Sequence, residues 1–351
     1  MITIRISALL RSTAACAALL VALPTTVWAW AGTQHLQINK AAGHNVPEEM
    51  AAFRAFSRSM ALHGIYPDLW KEADSDETPR HYFEPDQLPA QTDIRELSTV
   101  MAEAFAKMGL TAEGIGIAPW TINDLLAQMT AAMRTNDWVW AARCGAALGH
   151  YVGDLHMPLH CTRNYNGQDT GQMGVHMRLE IDMVKAFFHP DQIHPAPAVY
   201  IENPFRAIME WTAHSTTLVP AILDADLVAK RAANGRCDTE RYYRKFWELT
   251  GDTVNTQISD AATHLSSLWY TAWVNAGKPA IPEPFDELPT PSVFSGVSID
   301  PPPTDGDLVG AVPRPIHKTY DTIIWSIMGG IGLIIIASSI YRGIKAKKPK
   351  S

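Results

Sequence analysis

A chain of 351 residues has room for one large domain or two small ones, and 47% hydrophobic with 19% charged residues is an ordinary globular composition. The formal charge of −7 is uneven: seven of the 29 basic residues sit at the two hydrophobic ends, leaving 22 against all 36 acidic residues in the middle, a balance near −14. That argues against a surface built to hold a long polyanion, because nucleic-acid affinity comes largely from Lys and Arg neutralising phosphates.

The N-terminus has a basic start (Arg5, Arg11), an apolar run from Ala14 to Leu23, and a Val27-Trp28-Ala29 site with small residues where a signal peptidase reads. The run is too short to span a bilayer, so residues 1–29 read as a secretory signal peptide. Cleavage after Ala29 removes Cys16 and leaves Cys144, Cys161 and Cys237, an odd number that permits one disulfide and one free thiol.

Residues 30–277 read as the folded domain, and helical signals dominate it. Thr92–Met108 carries Leu97, Met101 and Phe105 at helical spacing. Residues 136–153 form a second expected helix, rich in Ala, Trp and Val. Residues 174–188, 204–233 and 239–275 continue the pattern, the last two expected to break once each. With no alternating strand pattern and no internal repeat, the expectation is a single all-α multi-helix bundle.

From Lys278 the composition changes: ten of the 24 prolines lie between Pro279 and Pro315, so residues 278–321 read as an extended, semi-rigid linker. Thr322 to Tyr341 is twenty residues without a charge, long enough for one transmembrane helix across a ~30 Å hydrocarbon core. The basic tail 342–351 follows directly, and positive flanks stay on the cytoplasmic side. The expected protein is exported and membrane-anchored, with its domain on the extracytoplasmic side.

The sharpest chemical signal is H150-Y-V-G-D154-L-H-M-P-L-H160. Residues four apart on a helix have Cβ atoms ~5–6 Å from one another, so His150 and Asp154 are placed to share one zinc. Pro158 ends the helix and delivers His160 from another backbone direction, toward a neighbouring metal. A second i, i+4 pair follows, His176 and Glu180. A lone pair of this kind is more often a solvated surface pair; two within 31 residues, with His160 between them, point to metal.

The segment HYVGDLHMPLH, followed by GVHMRLE, resembles the zinc-dependent phospholipase C and single-strand-specific zinc nuclease superfamily. Members are all-helical and hold three zinc ions in one cleft, one of them bound by the amino group and carbonyl of a mature N-terminal tryptophan. Cleavage after Ala29 makes Trp30 that residue, and His35 sits five positions on, where the family has a histidine. Between the motifs, His81 and Asp68 match the family's His and Asp, with Asp74 and Asp76 as competitors for the second role.

The resemblance covers residues 30 to about 275 and implies three metal sites. The first takes Asp68, His81, His150 and Asp154. The second takes His160, His176 and Glu180. The third takes Trp30, His35 and the other oxygen of Asp154. It makes Asp68 and Asp154 the catalytic carboxylates of a phosphodiester hydrolase that activates water on zinc. Phospholipid is the leading substrate, single-stranded nucleic acid the alternative, and no protein partner is implied. A non-catalytic exported zinc module is the contrasting class; a structural zinc is closed by four protein ligands, whereas the second site has three. His156 is left as a neighbouring or exposed residue, and His63, His214 and His264 as core or surface residues.

Overall fold

The structure, a computed structural model, describes residues 32–298 apart from 107, 286 and 287. The expected signal peptide, Trp30, the linker beyond residue 298, the span 322–341 and the tail 342–351 lie outside the described residues. Within those residues the chain is helical with no strand, and no helix there is long and apolar enough to cross a membrane.

Among the described residues eleven α-helices follow in order: α1 (Gly32–Asn45), α2 (Ser57–His63), α3 (Tyr66–Trp70), α4 (Met101–Ala106), α5 (Ala112–Ile115), α6 (Ala118–Arg134), α7 (Trp138–Leu155), α8 (Val175–Met177), α9 (Val184–Phe187), α10 (Pro204–Ala232) and α11 (Glu240–Asn275). A π-helical stretch, Arg178–Met183, joins α8 to α9, and short 3₁₀ turns fill several connections. The caps are those the sequence offers: Asp137, Asn203 and Thr239 accept the backbone N–H of Trp140, Arg206 and Tyr242 at the starts of α7, α10 and α11.

Helix α7 is the axis of the bundle. Fifteen of its 18 residues are buried, and α1, α6 and α11 pack around it. A helix that is apolar or small all round belongs in an interior. Glycines stand one turn apart along α7 at Gly145, Gly149 and Gly153; Gly149 and Gly153 face α1, and Gly145 faces Met60, Met129 and Trp269 of α2, α6 and α11. A Cβ on Gly149 would stand 2.3 Å from Asn39 Oδ1, and one on Gly153 3.0 Å from His35 Nδ1. The missing side chains let the α1 backbone approach closely, and that approach carries His35 to His150, whose rings stack with centroids 3.7 Å apart.

A second device is a hydroxyl ladder on α11. Ser259, Thr263, Ser267 and Thr271 each donate to the carbonyl four residues back. The same hydroxyls accept the backbone N–H of His194, Ala196, Val199 and Ile201 at 2.9–3.1 Å. An extended, proline-containing segment is thereby docked on a helix without a sheet partner, four of its N–H groups taken up by side-chain hydroxyls.

Several expectations change. Thr92–Met108 is not one helix: a 3₁₀ turn, Ile94–Glu96, precedes the short α4, and Asp93 caps that turn. Helices α10 and α11 are unbroken, over 29 and 36 residues. Helix α6 was not among the expected elements, although Ile122, Leu125, Leu126, Met129 and Met133 repeat at helical spacing and are buried. The three cysteines are free, Cys144 and Cys161 buried and Cys237 partly so. The expected linker does not leave the domain at residue 278: Leu288, Ser292 and Val293 are buried, and Trp70 Nε1 donates to Thr290 O at 2.9 Å. Proline kept this stretch from forming a helix but not from packing.

Gly149→Ala tests the close approach. Alanine gains about 1 kcal/mol of helix propensity, but overpacking costs ~1–3 kcal/mol, and Asn39 has no room to yield, being fully buried with its amide on His35 O. A net loss of up to about 2 kcal/mol in denaturant unfolding is expected; raised stability would show that the approach is not tight.

Candidate metal centre

The eight described residues of the expected ligand set come from seven elements. His35 lies on α1, Asp68 on α3, His81 at the end of a 3₁₀ turn (Ser75–His81), and His150 and Asp154 on α7. His160 lies on a 3₁₀ turn (Pro158–Cys161) opened by Pro158, as the helix-ending proline predicts. His176 is on α8, and Glu180 is on the π stretch, a helical defect often found at functional sites.

All eight are buried, none more than 7% exposed. They form three groups, each with ligand atoms within 4.8 Å of one another: His35, His150 and Asp154; Asp68, His81 and His150; His160, His176 and Glu180. Asp68 therefore meets His81 and His150. Its competitors stand elsewhere: Asp74 caps the 3₁₀ turn by accepting Asp76 N, and Asp76 is exposed. Trp30 lies outside the described residues, so its part in the third site has no geometry here.

Two donors bound tetrahedrally to one zinc with ~2.1 Å bonds are ~3.4 Å apart. The separations match: His150 Nε2 to Asp154 Oδ2 is 3.4 Å and to Asp68 Oδ1 3.6 Å; His35 Nε2 to Asp154 Oδ1 is 3.5 Å; His160 Nε2 to Glu180 Oε1 is 3.4 Å. His81 Nδ1 lies 2.9 Å from Asp154 Oδ2 and 3.0 Å from His150 Nε2.

Carbonyl partners fix the ring orientations. His150 Nδ1 donates to Gly64 O (2.8 Å), His160 Nδ1 to His81 O (2.7 Å) and His176 Nδ1 to Tyr165 O (3.3 Å), which turns each Nε2 lone pair inward. His81 is reversed: its Nε2 faces Glu77 Oε1 at 3.4 Å and its Nδ1 faces the centre. Both nitrogens of His35, His160 Nε2 and Asp154 Oδ1 are buried and make no hydrogen bond. Buried polar atoms are rarely left so, and a cation shared by inward-facing lone pairs satisfies them. The donors are imidazole and carboxylate with no thiolate, a set suited to zinc; the residues fit the ion that the resemblance implies.

Lys71 was not foreseen. It stands three residues after Asp68 and places Nζ 2.6 Å from Asp68 Oδ1. Burial disfavours the charge of both groups, yet each holds the other ionised: Asp68 is shifted down and Lys71 up. Glu77 was missed as well, although a carboxylate four residues before His81 is a readable signal. His156 is buried and accepts at Nε2 from His264 Nδ1 (2.7 Å), while His264 stacks on Trp211, so this pair stands apart from the three groups. No protein-family model matches the chain, and no curated protein matches it.

The metal-free site has a definite pH signature. Burial, with His150 adding repulsion, pushes His35 down to about 3. The unfolded chain protonates this histidine below pH 6.5, so it destabilises the fold as pH falls from there. Burial opposes charge on His160, but Asp154 and Glu180 outweigh it and raise the group to about 9, so its contribution is present below pH 6.5 and is lost as pH rises through about 9. Burial likewise opposes charge on Glu180, but the His176 and His160 imidazoles hold it at about 2, a contribution lost only in acid. Chelator-treated protein is therefore expected to melt highest near pH 6.5 in a thermal series. A melting temperature that climbs steadily to pH 9 would contradict this charge arrangement.

Proposed function

We propose that the chain is a zinc-dependent phosphodiester hydrolase of the phospholipase C type, exported and held at a membrane by residues 322–341. The observation that carries the reading is the sharing of ligands. His150 belongs to two of the three groups, and Asp154 lies within 4 Å of His35, His81, His150 and His160, so ions held there are near neighbours. Closely spaced metals are the arrangement that suits in-line displacement at phosphorus.

Zinc bound in these groups supplies Lewis acidity and a water of pKa near 7. The protein's part is to hold and orient. Gly64 O, His81 O and Tyr165 O keep three imidazoles in the tautomer with Nε2 free to bind. Asp154 presents both oxygens to different histidines, Oδ1 to His35 and Oδ2 to His81 and His150. The His160, His176 and Glu180 group offers three protein donors, which suits a site that must also admit substrate.

Lipid is favoured by three features. Tyr165, Met173 and Met177, beside His176 in sequence or space, are 44%, 65% and 38% exposed, an apolar rim next to the His160–His176–Glu180 group. The mature domain carries a charge near −14, which repels a polyanion. Glu180 is the carboxylate of the bacterial phospholipases that the motifs resemble, where the related nucleases have Asp. One observation favours the nuclease reading: the half-exposed Tyr165 ring, edge-on to His176 at 5.8 Å, offers a face on which a base stacks.

An aryl phosphodiester assayed with and without chelator tests the activity, and competition between a short-chain phosphatidylcholine and a single-stranded oligonucleotide tests the substrate. Chelator-sensitive turnover with a higher kcat/KM for the lipid is expected. Preference for the oligonucleotide would move the assignment to the nuclease, and no chelator-sensitive turnover of any ester would leave a binding module.

A further inference from the structure

We infer that residues 288–297 form a clamp that holds the metal ligands Asp68 and His81 in place, and that Glu77 and Arg80 are the positioning residues through which the clamp reaches His81. This inference rests on the zinc reading above.

Glu77 is fully buried, with Oε1 3.4 Å from His81 Nε2. A carboxylate behind a metal-binding imidazole fixes which nitrogen faces the metal, and here it turns Nδ1 toward Asp154 and His150. Two groups hold Glu77 in turn: the Tyr151 hydroxyl donates to Oε1, and Arg80 Nη1 donates to Oε2 at 3.5 Å. The guanidinium of Arg80 lies 4.2 Å from the centroid of the Phe294 ring, which also tilts against Tyr151 at 6.2 Å. One aromatic side chain from the far end of the sequence thus bears on both groups that hold Glu77.

The same stretch fixes Asp68. Trp70, the last residue of α3 and two positions from Asp68, donates from Nε1 to Thr290 O at 2.9 Å. His63 donates from Nε2 to Leu288 O at 3.0 Å, and Arg143 on α7 donates to Pro291 O. The partners are backbone carbonyls, so the contacts depend on the path of the strap, which buried Leu288, Ser292 and Val293 and the Ser292 N to Val297 O bond maintain. Two ligands of the Asp68–His81–His150 group are served in this way.

The test uses full-length Phe294→Ala, Phe294→Tyr and Glu77→Gln proteins, with zinc counted by elemental analysis after dialysis against graded chelator and the melting temperature measured on the metal-free forms. Phe294→Ala and Glu77→Gln are expected to release one zinc of the set at ~10–100-fold lower chelator than wild type. Phe294→Tyr keeps the ring and is expected to retain zinc as wild type does. Release by both variants at the wild-type chelator concentration would overturn the clamp and leave the zinc reading standing. Equal loss of every zinc with a lowered metal-free melting temperature would also overturn it, as general destabilisation. A wild-type chain that holds no zinc would overturn both.

Discussion

The structure turns on the burial of three carboxylates. Asp68, Asp154 and Glu180 are 5%, 0% and 0% exposed and stand among five buried imidazoles. Isolated anions in a protein interior are strongly unfavourable, and such groups persist only when paired or bound to metal. Lys71 answers for Asp68 alone. The remaining charge is met by imidazoles whose lone pairs point at one another, an arrangement that cations complete and protons satisfy only in part. Without metal, His35 and His160 are driven in opposite directions by the same surroundings.

That constraint shapes the bundle. A site with ligands on seven elements needs an axis to register them, and α7 is that axis because Ala and Gly let its neighbours come close. Gly149 and Gly153 set the distance to α1, and so the position of His35. The turn that Pro158 opens brings His160 beneath His81, where its ring donates to the His81 carbonyl. The strap at 288–297 packs against α3 through Trp70 and against α7 through Arg143. A sequence of unremarkable hydrophobicity thus specifies its centre largely through small residues, capped turns and carbonyl partners for rings.

What the sequence showed depended on range. His150 with Asp154, and His176 with Glu180, are i, i+4 pairs and readable from spacing, because helical geometry alone makes them neighbours. His35 and Asp68 have no comparable local pair, and the Glu77–His81 spacing went unread, so all three entered only through resemblance; their meeting with α7 is a matter of tertiary packing. The all-helical class was legible from periodicity, yet α6 went unread despite its apolar repeat, and Thr92–Met108 was overread because Asp93 competes for the backbone N–H of Arg95. The packed strap was misjudged because proline content reports on helix formation and not on burial. Side chains such as Leu288 and Val293 were the available contrary signal.

The proposed function has these buried groups holding several neighbouring zinc ions joined through Asp154. Zinc content per chain, measured on full-length protein purified without chelator, tests it most directly. About three ions are expected, one for each group, with a loss of two in Asp154→Asn, since that carboxylate faces both the His35 and the His81 sides. A single tightly bound ion in the wild type, or an undiminished count in Asp154→Asn, would contradict it.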